Sequence, residues 1–141
     1  MNQQIRQYVS KRAQGVCEYC HLPQRAIKVT FHVEHIVPKK HLGSNLLSNL
    51  AFACHWCNRS KSSNLSGIDG ITNKIVPLFH PRKQAWSEHF HFIGSEIIGL
   101  TPTGRATVQV LNMNSLMMSA IRQELLDEGF ELKARRPRKR R

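Results

Sequence analysis

The sequence contains two pairs of cysteines with the same spacing. "CEYC" provides Cys17 and Cys20, and "CHWC" provides Cys54 and Cys57. Two thiolates from one tight turn can take adjacent corners of a tetrahedron, so two such turns complete a four-cysteine zinc site. A closed site of this kind is structural, because it leaves no coordination position for a substrate. The alternative is four buried free thiols in a small core.

Zinc at these cysteines would constrain the fold, because it would join the N-terminal helix region to the segment that starts near Asn49. The residues between them then form a loop that is fixed at both ends. This loop contains "FHVEHIVPKKH", residues 31–41, with three histidines, one glutamate and two lysines. His21 and His55 lie inside or beside the cysteine pairs, and we expect the four thiolates to be used in preference to them.

The charge of the chain indicates a polyanionic partner. The 141 residues carry a formal net charge of +12, which is typical of proteins that bind nucleic acid. Part of the excess lies in "KARRPRKRR" at the end of the sequence, and we expect residues 132–141 to form a basic, disordered tail. The remainder is basic as well, so we expect the folded part to contact phosphates too.

The sequence shows no apolar run of the roughly 20 residues that cross a bilayer. Its N-terminus, "MNQQIRQYVSKRAQG", lacks the pattern of a secretory signal. We therefore expect a cytoplasmic protein with no membrane partner. In a reducing compartment, paired cysteines more often bind metal than form disulfides.

Apolar periodicity predicts a helix near each end of the chain. "QQIRQYVSKRAQG" has helical spacing and stops at Gly15. The last helix is capped by Asn114 or Ser115 and ends at Gly129. It carries an apolar stripe that we expect in the core, formed by Leu116, Met117, Ile121 and Leu125.

The middle of the chain predicts a mixture of strands, turns and helices. "AIKVTFHVEHIV" is typical of a strand, and "NLAFACHWCNRSKSS" of a turn followed by a helix. "SGIDGITNKIVPLFHP" predicts a loop, and "PRKQAWSEHF" a helix that starts at Pro81. "FHFIGSEIIGL" predicts a hairpin around Gly94 and Ser95. "RATVQVL" alternates and predicts a third strand beside it.

The residues between the cysteine pairs follow a specific order. They are "EHIVP" at 34–38, a glycine at 43, "NL" at 49–50 and "CHWCNRSK" at 54–61. This order resembles the HNH endonuclease family, with C-x-x-C, an acidic residue before His-Ile or His-Val, a proline, a glycine-containing loop, Asn-Leu and C-x-x-C-Asn-x-x-Lys. The resemblance covers residues 17–64.

The resemblance implies an α+β fold. It consists of a ββα-metal (HNH) core with a structural four-cysteine zinc site, and a C-terminal extension with a β-hairpin, a strand and a helix. We expect one HNH nuclease domain over residues 1–131, with the extension at about 65–131. A bacterial or phage-like context is also implied.

The resemblance implies a metal-dependent endonuclease that hydrolyses DNA to 5′-phosphate and 3′-hydroxyl ends. His35 matches the general base, a role that suits an imidazole titrating near neutral pH. Glu34 and Asn58 match two side chains that hold one magnesium or manganese ion through oxygen atoms. Asn49 matches an asparagine that orients the loop and its histidine by hydrogen bonds to the backbone.

Several residues are candidates for contact with nucleic acid, for which we expect double-stranded DNA. Lys61 follows Asn58 by three residues, hence lies on the same helical face, where it can meet a phosphate. The full set is Lys61, Arg59, His32, Lys39 and Lys40. His32 remains open between a metal ligand, a phosphate contact and a structural histidine, whereas His41 is expected to be a loop residue.

The strand geometry poses a question about the site. In a regular strand Glu34 and His35 point to opposite faces, whereas His32 and Glu34 share one. Either the strand bends or ends before Pro38, or the phosphate is gripped from both sides. The chain also has Glu34 where the family commonly has aspartate, and serines at 44 and 62 where glycines are usual. The alternative function is a non-catalytic zinc-containing module that binds DNA or RNA.

Overall fold

The computed structural model describes residues 2–132. The predicted basic tail therefore lies outside the described residues, except for Leu132. The helices are α1 (Gln3–Arg12), α2 (His55–Lys61), α3 (Trp86–His89), α4 (Pro102–Val110) and α5 (Leu116–Asp127). The strands are β1 (His32–His35), β2 (Leu50–Ala53), β3 (Ser66–Ile68), β4 (Ile75–Pro77), β5 (Phe90–Ile93) and β6 (Glu96–Gly99). This arrangement confirms the α+β class.

Helix α1 forms where the periodicity predicts it. The Asn2 side chain caps the helix by accepting a hydrogen bond from the Ile5 N–H at 2.9 Å. Val9 and Ala13 are buried, and α1 packs against β1 and β2. Gly15, at a φ of +70°, lies in the left-handed region and ends the segment. None of the described helices is both long and apolar enough to cross a membrane.

Strands β1 and β2 form an antiparallel pair in which His35 lies opposite Leu50 and Glu34 opposite Ala51. Two predictions are wrong here. Strand β1 begins only at His32, since Ala26 ends a 3-10 turn and residues 27–29 form bends. The segment "NLAFA", expected as a turn, contains β2. All four residues of β2 are buried, so the strand lacks the alternation that marks a half-exposed one.

Helix α2 starts at a cysteine that also belongs to the predicted metal site. The Cys54 sulfur accepts a hydrogen bond from the Cys57 N–H at 3.4 Å, which is the contact that an N-cap side chain makes. The helix ends at Lys61, and Ser62 follows with a φ of 48°. The predicted helix over "CHWCNRSK" is therefore confirmed, and its start is fixed by the second cysteine pair.

The segment after α2 contains a hairpin where a loop was expected. Strands β3 and β4 pair in antiparallel register, with Ile68 opposite Ile75. Asp69 shapes the turn between them, because its carboxylate accepts hydrogen bonds from the N–H groups of Ile71 and Thr72. The strands are three residues long, too short to show an alternating pattern in the sequence.

The next helix begins later than predicted, and the hairpin that follows it lies where expected. Helix α3 starts at Trp86, whereas residues 81–84 form turns. Strands β5 and β6 pair with Ile93 opposite Glu96. Their tight turn contains Gly94 at a φ of +56°. The predicted hairpin around Gly94 and Ser95 is therefore confirmed.

The expected third strand, "RATVQVL", is wrong, because these residues belong to α4. Thr101 caps the helix by accepting a hydrogen bond from the Gly104 N–H at 3.0 Å, and Pro102 lies in its first turn. A Cβ atom at Gly104 would lie 2.1 Å from the His89 carbonyl oxygen. Glycine therefore allows α4 to pack closely on the neighbouring chain. The helix-start signal of Thr101 and Pro102 therefore predicts this segment better than the apolar alternation of "RATVQVL" does.

Helix α5 forms as predicted, with Ser115 as its cap. Its inward face consists of Met118, Arg122 and Leu125, which are spaced by four and three residues. The predicted stripe is only partly correct, since Leu116 is 94% exposed and Met117 is also exposed. These two residues lie outside the face that the three buried residues define.

An aromatic cluster joins the extension to the first cysteine pair. The Trp86 ring stacks on His21 with 4.1 Å between ring centroids. Its indole N–H donates a hydrogen bond to the Tyr19 carbonyl at 2.7 Å. Phe90 and Phe92 pack on the same tryptophan, each 5.1 Å away between centroids. The extension therefore rests directly on residues beside the predicted metal site.

Candidate active site and metal centre

The four cysteines meet in the core, although the two pairs are far apart in sequence. Their sulfurs all lie within 4.8 Å of one another and all four residues are buried. The sulfurs of Cys20 and Cys54 are 3.7 Å apart. Tetrahedral zinc with Zn–S bonds of about 2.3 Å requires neighbouring sulfurs about 3.8 Å apart. The cysteines are thus positioned to bind a metal ion, and their separation fits zinc.

Hydrogen bonds among the thiols shift the pKa values of three of the four cysteines in opposite directions. Hydrogen bonds from Cys17, Cys20 and Cys57 hold the pKa of the Cys54 thiol far below its usual range. Hydrogen bonds with Cys17 and Cys54 raise the pKa of Cys20, and hydrogen bonds with Cys17, Cys20 and Cys54 raise the pKa of Cys57. A metal ion that binds all four sulfurs must therefore displace protons, as expected for a thiolate site.

The two residues inside the first cysteine pair hold neighbouring elements. Residues 17–20 are called the first knuckle below. The Glu18 carboxylate accepts a hydrogen bond from the Phe52 N–H at 2.8 Å and forms an ion pair with Arg82. The Tyr19 hydroxyl donates a hydrogen bond to Glu34. Sequence reasoning missed both roles, and the only signal was the presence of polar groups between two metal ligands.

Glu34, the predicted metal ligand, is buried between the first knuckle and α2. Its Oε1 accepts the hydrogen bond from Tyr19. Its Oε2 lies 3.4 Å from the Lys61 ammonium nitrogen. Burial raises the pKa of the Glu34 carboxyl to about 7, although Lys61 and Tyr19 act in the opposite direction.

Lys61, predicted to contact a phosphate, points into the protein. The residue is only 2% exposed. Its ammonium donates hydrogen bonds to the carbonyl oxygens of Ile36 at 2.9 Å and His35 at 3.4 Å. Lys61 therefore holds the end of β1 against α2 and neutralises Glu34. Arg59, on the same helix, is exposed.

The face of β1 that meets α2 contains the other candidates for metal binding. The rings of His32 and His55 lie 5.7 Å apart between centroids, and Lys61 contacts Glu34 further along. Asn58 follows His55 by three residues and precedes Lys61 by three, so helical spacing places it between these two contacts. Glu34 and Asn58 thus share the interface of β1 with α2.

The donor types fit a divalent ion that prefers oxygen, but Glu34 already has partners. Carboxylate and amide oxygens are ligands of magnesium and manganese. Both carboxylate oxygens of Glu34 are in contact with Tyr19 or Lys61. Within residues 2–132, the cysteines are the one group of three or more His, Cys, Asp or Glu placed to hold an ion. An ion at Glu34 would therefore compete with Lys61.

His35 projects from the opposite face of β1, as strand alternation predicts. Its Nε2 is 2.9 Å from the Asn45 side-chain oxygen. The residue is partly exposed, unlike Glu34. Asn45 was not among the sequence candidates, and its place in a loop gave no signal of this contact.

Asn49 fixes the loop that follows His35. Its side-chain oxygen accepts a hydrogen bond from the Val37 N–H at 2.9 Å. Its amide group donates to the carbonyl oxygens of Val37 at 3.0 Å and Ser44 at 2.8 Å. These are backbone contacts of the kind that the resemblance implies for Asn49. Lys39 and Lys40 are exposed on the same loop.

Comparison with known proteins agrees with this arrangement. A protein-family model described as HNH endonuclease matches residues 17–64. This segment is therefore similar to the HNH endonuclease family. The matched HNH segment contains both cysteine pairs, β1, β2 and α2.

One relative extends the similarity beyond the HNH segment. The chain is 24% identical over 152 residues to the Septu protein PtuA of Bacillus mycoides (strain KBAB4), and the match covers 88% of the chain. The chain spans only 21% of the length of that relative. No solved structure gave a significant match.

Proposed function

We propose that this chain is a metal-dependent endonuclease that hydrolyses phosphodiester bonds in double-stranded DNA. The proposal rests on the HNH segment and, above all, on one observation. A partly exposed histidine, His35, is fixed by Asn45 at the end of β1. It lies beside a loop that Asn49 holds by three hydrogen bonds. An oriented imidazole at a surface is what a general base requires.

In the proposed reaction, His35 accepts a proton from a water molecule. The water oxygen forms a bond to phosphorus, the opposite bond to the 3′ oxygen breaks, and the leaving oxygen takes up a proton from solvent. The products carry a 5′-phosphate and a 3′-hydroxyl. Asn49 acts by keeping the loop and His35 in place, because misplacement of reacting groups by about 1 Å can cost 100-fold in rate.

Glu34 and Asn58 are the residues that would hold a catalytic magnesium or manganese ion. A bound ion of this kind offsets the negative charge that develops on the phosphoryl and leaving oxygens. Lys61 supplies the positive charge beside Glu34 in this structure. Zinc at the four cysteines has a structural role in this proposal.

The charge of the chain supports a nucleic-acid substrate. The net charge of +12 favours association with a polyanion. Arg59, Lys39 and Lys40 are exposed within or beside the HNH segment, and we propose that they contact phosphates together with His32. Such contacts position the duplex without reading its sequence.

The test is cleavage of supercoiled plasmid by the purified chain with added Mg²⁺ or Mn²⁺ and without either ion. We expect cutting that depends on the ion, and a rate about 10²–10⁴-fold lower in His35→Ala, because general-base catalysis contributes a factor of that size. His91→Ala is the matched control, since His91 is exposed on β5. An unchanged rate in folded His35→Ala that binds plasmid normally would remove His35 from the mechanism.

A second candidate function is a non-catalytic zinc-containing module that binds DNA or RNA. One observation favours it, namely that both oxygens of Glu34 are already in contact with Tyr19 and Lys61. Plasmid binding that weakens with salt, with no cutting under either ion, would support this module instead of the nuclease.

A further inference from the structure

The loop that follows β1 carries leucines on its outer surface. Residues 38–47 are called the leucine loop below. Leu42 is 96% exposed and Leu46 is 67% exposed. A single exposed leucine is ordinary, but exposed apolar side chains grouped on one loop mark a candidate interaction site.

The backbone at Leu42 is strained as well as exposed. Its φ of 68° and ψ of 24° lie in the left-handed region, which glycine and asparagine adopt far more readily than leucine. Position 43 has no room for a side chain, because a Cβ atom at Gly43 would lie 1.7 Å from the Val37 carbonyl oxygen. The turn alone does not require leucine. Strain of this type accumulates at functional sites.

Hydrogen bonds hold Leu42 in this strained position. Its N–H donates to the Lys39 carbonyl at 3.0 Å, and the Gly43 N–H donates to the Pro38 carbonyl at 3.0 Å. Asn49 binds the loop on both sides through Val37 and Ser44. A loop backbone that is already ordered loses little conformational entropy when its side chains bind a ligand.

The surroundings of Leu42 indicate nucleic acid as its ligand. Lys39, Lys40 and His41 precede it, and residues 35–47 contain no acidic side chain. Asn45, three residues further on, contacts His35, which places the leucine loop beside the proposed catalytic base. Proteins that combine basic side chains with an exposed apolar wedge insert that wedge between base pairs and bend the duplex.

We propose that Leu42 inserts at a base step of bound duplex DNA next to the phosphate that His35 attacks. This inference rests on the proposed function for its substrate. Insertion partly unstacks the step and turns the adjacent phosphate towards the imidazole. Lys39 and Lys40 neutralise the phosphates on either side of the opened step.

The test measures untwisting of DNA, which does not depend on the cut site. Relaxed plasmid is incubated with His35→Ala protein and a metal-independent topoisomerase, without added Mg²⁺ or Mn²⁺, and topoisomers are resolved on a gel. We expect His35→Ala to shift the linking number. His35→Ala/Leu42→Asn should bind plasmid at similar affinity and reduce the shift about twofold or more, because the wedge is gone.

The control is His35→Ala/Leu116→Asn, since Leu116 is equally exposed but lies on α5, and it should keep the full shift. Leu42→Asn should melt no lower than the wild type, since asparagine suits the left-handed backbone. The insertion of Leu42 is wrong if the linking-number shift is equal with and without Leu42, or if plasmid saturated with protein shows no shift. If the wild type cuts no plasmid but the linking-number shift still depends on Leu42, the proposed nuclease function is wrong and the insertion of Leu42 is supported.

Discussion

Glu34 and Lys61 form a buried pair of opposite charges. The family pattern identified both residues, but it could not show which way their side chains point. Strand alternation did predict that Glu34 and His35 leave β1 on opposite faces, because the period of a strand is fixed by covalent geometry. The inward direction of Lys61 depends on how closely α2 packs on β1, and one sequence does not contain that information.

Replacing Lys61 by methionine should lower the free energy of unfolding by roughly 1–3 kcal/mol, because it leaves the Glu34 carboxyl group and the carbonyl oxygens of His35 and Ile36 without their buried donor. Urea unfolding measures this directly. Lys61→Met/Glu34→Gln should recover part of the loss, and Lys40→Met on the surface should change stability by about 0.5 kcal/mol or less. If Lys61→Met is fully stable and only loses affinity for DNA, the sequence-based role as a phosphate contact is right after all.

At the scale of elements, signals at chain reversals were more reliable than apolar patterns. The Gly94 turn and the Ser115 cap were both predictable, because their backbone requirements are local. β2, β3 and β4 were missed since they are short, and β2 is also buried on both faces. The Thr101 cap before Pro102 indicates the start of α4, whereas the apolar alternation of "RATVQVL" indicates a strand.

An ion pair joins the β3–β4 turn to α4. The Arg105 guanidinium donates to both oxygens of Asp69, at 2.7 and 3.0 Å. These hydrogen bonds hold the pKa of Asp69 well below its usual range. The pair therefore stabilises the fold fully above the unfolded pKa of about 4, and this contribution is lost progressively as the pH falls from that value through the lower pKa of the folded state.

Asp69→Asn should lower the melting temperature by several degrees at pH 7 and by less at pH 3, because the wild type loses the same contribution in acid. Thermal melts followed by circular dichroism between pH 3 and pH 7 measure both values. Asp127→Asn is the matched control, as Asp127 contacts only a neighbouring side chain on an exposed part of α5. A difference between Asp69→Asn and the wild type that is independent of pH would exclude the ionic contribution.

In the molecule as a whole, the four cysteines connect parts of the chain that the sequence separates. The first knuckle lies against Trp86 of the extension, and the second cysteine pair begins α2. The spacing of the cysteines predicted their meeting, because tetrahedral coordination leaves few arrangements for two such turns. The aromatic packing of the extension on the first knuckle could not be predicted, since it depends on tertiary contacts.

Replacing Cys57 by serine should remove bound zinc and unfold the chain at 25 °C, because structural zinc sites contribute about 10–16 kcal/mol to folding. Zinc content by mass spectrometry and far-ultraviolet circular dichroism measure the two effects. Chelation of the wild-type protein should give the same result, and added zinc should reverse it. A chain without zinc that melts at the wild-type temperature would instead support four buried free thiols.

Tyr19 lies between two of these cysteines, and its hydroxyl holds Glu34. Binding of a metal ion by the cysteines would thus be coupled to the assembly of the proposed active site. Under the proposed function, removal of that ion would abolish cleavage without any inhibitor at the site itself.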